Sequence, residues 1–175
     1  MKKFFLTVCS ITLSLIGFTQ VDYKIEKVDT ISKTKAQLYS DTKMFIAENW
    51  KSAKNVIQND DKENGMILIK GTTKQVVSYA LSNLEFWYSY NVKFLIKDNK
   101  YKIVVEELKY VSGPSAMWDK KAQYLVPQDQ FPGYSTSGLP EKNWNKLISS
   151  LKVEIQGIVD SYEKYIKKTI TSNDW

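Results

Sequence analysis

The side chains that most often carry enzymatic chemistry are scarce in this chain. It contains no histidine, and its one cysteine, Cys9, lies in the apolar N-terminal segment. Histidine is the commonest general base, a frequent zinc ligand and the usual activator of serine and cysteine nucleophiles. The sequence therefore offers no Ser-His or Cys-His arrangement and, with only seven glycines, no glycine-rich phosphate loop.

Carboxylates remain as residues that could serve as a general acid and base. Asp60-Asp61 and Glu106-Glu107 are adjacent pairs, and neighbouring side chains in a strand point to opposite faces of a sheet. Neither pair is therefore placed as a catalytic dyad. A carboxylate-dependent hydrolase of the cell envelope, acting for example on glycans, is an alternative function that would require two facing carboxylates.

One polar segment has a weak calcium-loop pattern. Asn59, Asp61 and Glu63, followed by Gly65, place oxygen atoms at alternate positions, as calcium loops do. A polar hairpin turn explains the same residues, and Lys62 would lie among the ligands. We expect no metal site, no cofactor and no catalytic residue in this protein.

Aromatic residues are prominent in a long segment without periodic pattern. Residues 112–139 contain three of the four prolines, and a connection of this length within a small domain is usually functional or disordered. Because aromatic side chains dominate many interfaces, we predict that a ligand or partner contacts this loop and an exposed strand residue. An alternative is that the loop only packs onto the sheet and covers that residue. The predicted contact residues are Trp118, Tyr124, Phe131, Tyr134 and Trp87.

The charged residues disfavour a nucleic-acid partner. All 25 cationic residues are lysines, because the chain contains no arginine, and they are scattered among 19 acidic residues. Arginine is the usual residue for bidentate recognition of bases and phosphates. We expect instead an envelope protein or a small apolar ligand as the partner. Association with a membrane surface through lysines and aromatic residues is a weaker alternative.

The N-terminus has the pattern of a cleavable signal peptide. Lys2 and Lys3 precede an uncharged, mostly apolar run over residues 4–18, and small residues precede Gln20. The run is too short for a bilayer-spanning helix and has the length of a signal-peptide core. We expect residues 1–19 to be removed and residues 20–175 to work in the periplasm or outside the cell, without a transmembrane segment.

Hydrophobic periodicity predicts a single α+β domain over residues 20–175. Alternating patterns indicate strands, and apolar stripes of helical spacing indicate helices. The order strand, helix, four strands, helix favours an antiparallel sheet of about five strands with both helices packed on one face. The strands are predicted near residues 21–25, 54–58, 66–70, 86–97 and 101–111; the helices span Ser32 to about Trp50 and Pro140 to about residue 170.

One hairpin is specific enough to predict its register. The strand at residues 86–96 alternates apolar and polar side chains, which defines its buried face. A two-residue turn at Asp98-Asn99 would carry that face into the next strand. There the pattern breaks, because Glu107 would point into the core. We expect a β-bulge after Val105 that turns Leu108 inward.

A family resemblance covers about residues 31–110. It rests on residues 31–33 and 38–39, on Trp50, on the segment 53–58, and on the turn 61–65, which reads Asp-Lys-Glu-Asn-Gly and is followed by an apolar strand and Gly71. This pattern resembles the TATA-binding-protein-like (TBP-like) domain of unknown function found in exported bacterial proteins. The resemblance implies the TBP-like fold. It implies no activity and no functional residues.

Overall fold

The computed structural model describes residues 23–113 and 138–171. An α+β architecture is observed, with an additional short helix before the second strand. The elements in chain order are β1 (Ile25–Thr30), α1 (Lys35–Asn49), α2 (Ala53–Val56), β2 (Ile57–Asp61), β3 (Met66–Tyr79), β4 (Ser82–Lys97), β5 (Lys100–Ser112) and α3 (Glu141–Thr171).

The five strands form one antiparallel sheet in the order β1-β5-β4-β3-β2. Both long helices bury their apolar stripes against the same face. Phe45 of α1 and Tyr162 of α3 each pack against Phe94 of β4, with ring centroids 6.3 and 4.9 Å away. The predicted fold class is therefore confirmed. No helix in the described part of the chain is long and apolar enough to span a membrane.

The β4–β5 hairpin has the predicted register. The six alternating apolar residues of β4 are all buried, namely Phe86, Tyr88, Tyr90, Val92, Phe94 and Ile96. Lys97 pairs with Lys100 around the two-residue turn, so that Ile96 lies opposite Tyr101. Asn99 adopts φ 57° in that turn, a conformation that asparagine tolerates better than most residues. The hairpin therefore forms where the sequence places it.

The predicted β-bulge is present in β5. Asn91 pairs with Glu106, whereas Ser89 pairs with Lys109, so that β5 carries one more residue than β4 over this interval. Glu107 adopts φ 54°, and Leu108 is buried with only 2% of its surface exposed. The bulge thus removes the Glu107 carboxylate from the core and replaces it with an apolar side chain.

Helix α1 begins later than predicted. Thr34, not Ser32, is the N-cap: its hydroxyl accepts from the Gln37 backbone N–H while the Gln37 side chain accepts from the Thr34 N–H. This reciprocal capping box satisfies two otherwise free donors, and Ser32 has no glutamine or glutamate three residues later. The Lys35 N–H also donates to the Asp98 side chain at 2.7 Å, which joins the helix start to the β4–β5 turn.

Several strand boundaries also differ from the sequence prediction. The segment predicted as a strand from residue 54 begins as α2, because the N–H groups of Asn55 and Val56 donate to the Ser52 carbonyl. The first strand lies at Ile25–Thr30, where it pairs with β5, so it continues beyond the segment predicted near residues 21–25, of which residues 21 and 22 lie outside the described residues. Strand β3 runs to Tyr79 instead of ending near residue 70. This last difference creates the site described below.

Candidate functional site

Most of β3 forms an open edge of the sheet. It pairs with β2 only from Met66 to Ile69, and no strand in the described part of the chain pairs with residues 70–79 on that side. β2 is short because α2 replaces the start of the predicted strand. The β3 edge is therefore bordered by α2 at one end and by α3 beneath its helix-facing side.

The register identifies which backbone groups face the open edge. Tyr79 and Ser82 flank the two-residue turn and pair with each other, so they exchange both backbone hydrogen bonds. Alternate residues from position 78 back to position 70 then direct their N–H and C=O groups away from β4. One of these carbonyls, that of Ser78, accepts from the Asn143 side chain at 3.0 Å.

A cleft of about 840 Å³ opens at this edge. Its lining combines residues from both faces of the sheet, such as Thr72 on the outer face and Tyr90 on the helix-facing side, with Trp50 after α1 and Ile158 of α3. A cleft can reach both faces of β3 only where no neighbouring strand closes the edge. The site is therefore a groove between the β3 edge and the two long helices.

The cleft has an aromatic floor built around a glycine. Gly71 and Tyr90 are direct cross-strand partners, and a Cβ atom at position 71 would lie 2.4 Å from Cζ of Tyr90. Burial raises the pKa of the Tyr90 hydroxyl, and the neighbouring Trp50 side chain partly offsets the rise. The Trp50 ring also packs edge-on against Phe45, 5.8 Å between centroids.

Glu154 is the carboxylate that lines the cleft, and its contacts indicate a structural role. One carboxylate oxygen accepts from the Thr73 hydroxyl and the other from the Gln75 amide. Thr73 and Gln75 are buried residues on the helix-facing side of β3, and their polar groups require partners there. Glu154 therefore anchors α3 to β3 through both of its oxygens.

The adjacent carboxylates Asp60 and Asp61 lie apart from the cleft and point in different directions. Asp60 accepts from Tyr39 and Lys43 of α1, and Lys43 in particular holds the pKa of its carboxyl below the usual range. The Asp61 side chain accepts from the backbone and side-chain N–H groups of Asn64. These residues form a polar turn, and no cluster of three metal-ligating side chains occurs among the described residues.

The second carboxylate pair is separated by the bulge. Glu106 accepts from Lys93 at 2.8 Å, while Glu107 pairs with Lys109 at 2.9 Å. The Lys109 hydrogen bond lowers the pKa of the Glu107 carboxyl. Both carboxylates thus lie beside lysines on the outer face of the sheet, where each ion pair is partly exposed.

One residue of the predicted contact set lies in the cleft lining. Trp87 projects from the outer face of β4 with 41% of its surface exposed, and the Lys74 ammonium lies 5.8 Å from its ring centroid. The other four residues, Trp118, Tyr124, Phe131 and Tyr134, lie outside the described residues. From the sequence, Trp50 is expected at the end of the first helix and is one of the residues of the family resemblance. Its place in the cleft lining beside Tyr90 is not predicted.

The fold agrees with a comparison to known protein families. Residues 23–111 match the domain of unknown function DUF4468, which has a TBP-like fold. The chain belongs to this family. The match confirms the resemblance predicted for about residues 31–110, and no curated protein shows significant similarity to the chain.

Two solved structures are similar to this DUF4468 protein. A TBP-like protein from Parabacteroides distasonis shares 14% sequence identity, with 81% of this chain and 93% of that chain covered and a TM-score of 0.51. A DUF4468 family protein from Bacteroides ovatus shares 19% identity over 85% of this chain and 84% of that chain, with a TM-score of 0.49. At these identities the first similarity supports a common fold and carries no information on activity.

Proposed function

We propose that this DUF4468 protein is an exported, non-catalytic binding module that holds a partner protein or a small apolar ligand in the cleft beside β3. The observation that carries the proposal is the combination of an open sheet edge with partly exposed aromatic side chains in one groove. Interfaces gain much of their energy from such side chains, because they bury a large area at a small cost in conformational entropy.

The lining of the cleft suits recognition better than acid–base chemistry. Trp87 presents an exposed ring on one side of the groove, and Trp50 and Tyr90 form the floor on the other. Glu154 already accepts hydrogen bonds at both oxygens, so it is held in place by β3. A groove of fixed polar groups and aromatic surface is typical of ligand and partner sites.

The proposed location of this binding activity rests on residues 1–19, which lie outside the described residues. Their charged start, apolar run and small residues before Gln20 are typical of a secretory signal. A binding module that loses these residues during export would meet its partner in the periplasm or outside the cell. Cell fractionation with mass spectrometry should find a protein that starts near Gln20. An intact N-terminus, or a lipid on Cys9, would contradict export by this route.

The binding role can be tested with one cleft variant and one matched control. Trp87→Ala removes the exposed ring of the cleft, whereas Val28→Ala removes a side chain of similar fractional exposure, 45% against 41%, from the opposite edge of the sheet. Purified wild-type protein and both variants would be immobilised and challenged with an envelope extract. A component retained by the wild type and Val28→Ala, but lost with Trp87→Ala at an unchanged melting temperature, supports the proposal. Identical retention by all three proteins would refute it.

A further inference from the structure

We infer that the open edge of β3 binds an extended peptide with acidic side chains, which adds to the sheet as an antiparallel strand. The inference rests on the proposed binding role and specifies the partner of the same cleft. An unpaired sheet edge presents a row of backbone donors and acceptors, and the partner that matches this row most directly is another extended backbone.

The backbone of the edge is arranged for such pairing. Lys70, Thr72, Lys74 and Val76 direct their N–H and C=O groups away from β4, as the β3–β4 register requires. Along an antiparallel strand these groups repeat about every 6.8 Å, which an extended peptide reproduces. Asn143 caps the Ser78 carbonyl at the far end, so the free segment has a defined limit.

The outer face of the edge selects for acidic side chains. Lys70 and Lys74 both project from this face, and both are exposed. Lys70 forms no salt bridge within the described ranges, and its charge contributes to lowering the pKa of Glu107. Lys74 forms an exposed salt bridge with Glu85 at 3.0 Å and lies 5.8 Å from the Trp87 ring centroid. Peptide residues that lie directly opposite these lysines point to the same face, where opposite charges stabilise a cross-strand pair.

The inner face of the edge selects for apolar side chains. Peptide residues between the acidic ones would point toward Trp50, Tyr90 and Ile158, which line the helix-facing part of the cleft. Gly71 contributes no side chain on this face, so the space next to the edge is available to the Tyr90 ring and to an apolar side chain of the peptide. The site therefore matches a peptide that alternates acidic and apolar residues.

The same lysines disfavour a second copy of this chain as the occupant. If two β3 edges paired antiparallel about Thr72, Lys70 of each copy would lie beside Lys74 of the other. Like charges directly opposite each other destabilise a strand pair, and edge lysines are a common means of preventing self-association. Charge complementarity thus favours an acidic peptide over self-pairing.

The experiment uses a synthetic peptide, Glu-Val-Glu-Phe-Glu-Val-Glu with a fluorescent label and blocked ends, and measures binding to the full-length mature protein by fluorescence anisotropy. Two N-methylated forms of this peptide separate backbone pairing from charge. In antiparallel addition the N–H groups of the glutamates face β3, so methylation there should abolish binding. Methylation of the valines and phenylalanine should leave the affinity nearly unchanged. Equal effects of the two forms, or no binding of the unmodified peptide, would overturn the inference.

Protein variants provide an independent measurement. Thr72→Pro removes an N–H group that points away from β4, so the β3–β4 ladder stays intact. The peptide would lose one backbone hydrogen bond to β3 and part of the strand geometry that it needs, so its binding should weaken by about tenfold. Val28→Pro is the matched control, because Val28 also directs its N–H outward, from the β1 edge. Binding that is equally weakened by both changes would contradict edge addition. If Thr72→Pro fails to fold, the methylated peptides still decide the question.

Failure of this inference is distinguishable from failure of the binding role. A peptide in which lysine replaces glutamate should not bind, and its binding would exclude the acidic specificity. Suppose that no peptide binds, but that Trp87→Ala fails to retain a component of the envelope extract that the wild type retains. The binding role then stands and strand addition is wrong. If neither experiment gives a cleft-dependent signal, both proposals are wrong.

Discussion

Gly71 and Tyr90 lie opposite each other across the β3–β4 ladder, and the Tyr90 ring occupies the space that a side chain at position 71 would need. Because Gly71 has no side chain, the Tyr90 ring can lie against β3 at this point, and this contact determines where the aromatic floor of the cleft lies. Trp50 lines the cleft together with Tyr90, so the segment after α1 completes this floor. Among the described residues, the aromatic floor of the cleft is therefore built around a contact between neighbouring strands.

Substitution of Gly71 tests this relationship. In Gly71→Ala the new Cβ atom would meet Tyr90 Cζ at 2.4 Å, so the ring must move, and overpacking of this kind costs about 1–3 kcal/mol. The control is Gly157→Ala on α3, where nothing lies within 4 Å of the added atom and the helix should gain about 0.5–1 kcal/mol. Thermal unfolding of both variants measures the difference. A Gly71→Ala protein as stable as the wild type would show that the ring does not occupy this space.

Of the two hairpins that form β3, β4 and β5, the sequence predicts one and does not predict the turn of the other. The β4–β5 hairpin was predictable because Asp98-Asn99 provides a turn signal between alternating strands. The end of β3 was not, since Ala80 and Leu81 adopt φ 49° and 64° in its turn, and neither residue type favours positive φ. Without that turn the length of β3, and hence its open edge, cannot be inferred from local patterns.

Two buried tyrosines predict opposite effects of removing a hydroxyl. The Tyr162 hydroxyl hydrogen-bonds with Thr42 at 2.8 Å, so Tyr162→Phe should cost about 0.5–1.5 kcal/mol. The Tyr101 hydroxyl is buried without a hydrogen-bond partner in the described part of the chain. Tyr101→Phe should therefore leave stability unchanged or raise it, because an unpaired buried hydroxyl is unfavourable. Urea unfolding of the two variants compares them, and a larger loss for Tyr101→Phe would contradict the contacts described.

The Asp60 carboxylate should contribute stability that depends on pH. Hydrogen bonds from Lys43 and then Tyr39 lower its pKa from 3.8 in the folded protein. A lowered folded-state pKa means that the contribution is fully present above pH 3.8 and is lost as pH falls through the folded-state pKa. Because Asp60 and Lys43 are about 40% exposed, the contribution should be below about 1 kcal/mol.

Asp60→Asn isolates this contribution. At pH 7 the variant should unfold at a lower urea concentration than the wild type, and the gap should narrow as pH falls below 3.8, because the carboxyl of the unfolded wild type then takes up a proton that the folded protein takes up only at lower pH. Asp160→Asn, on the exposed side of α3 where its partner is the Gln156 amide, serves as the control for losing one negative charge. A gap between Asp60→Asn and the wild type that stays constant from pH 7 to pH 3 would argue against the ion pair as its source.

The β5 bulge lies beside the cleft, because Tyr90 occupies the β4 position opposite it. Two variants test separately how the positive φ of Glu107 and the extra residue affect stability. Glu107→Gly keeps the extra residue and relieves the positive φ of 54°, while it loses only an exposed pair with Lys109. Since a non-glycine residue in that conformation costs about 1–2 kcal/mol, Glu107→Gly should raise the melting temperature or leave it unchanged. Deletion of Glu107 removes the bulge and lets Leu108 follow Glu106 in regular alternation, so Leu108 stays on the inward face opposite Tyr90 and stability should change little. Thermal unfolding measures both variants, and a deletion variant that lost several kcal/mol would show that the bulge does more than keep Glu107 out of the core.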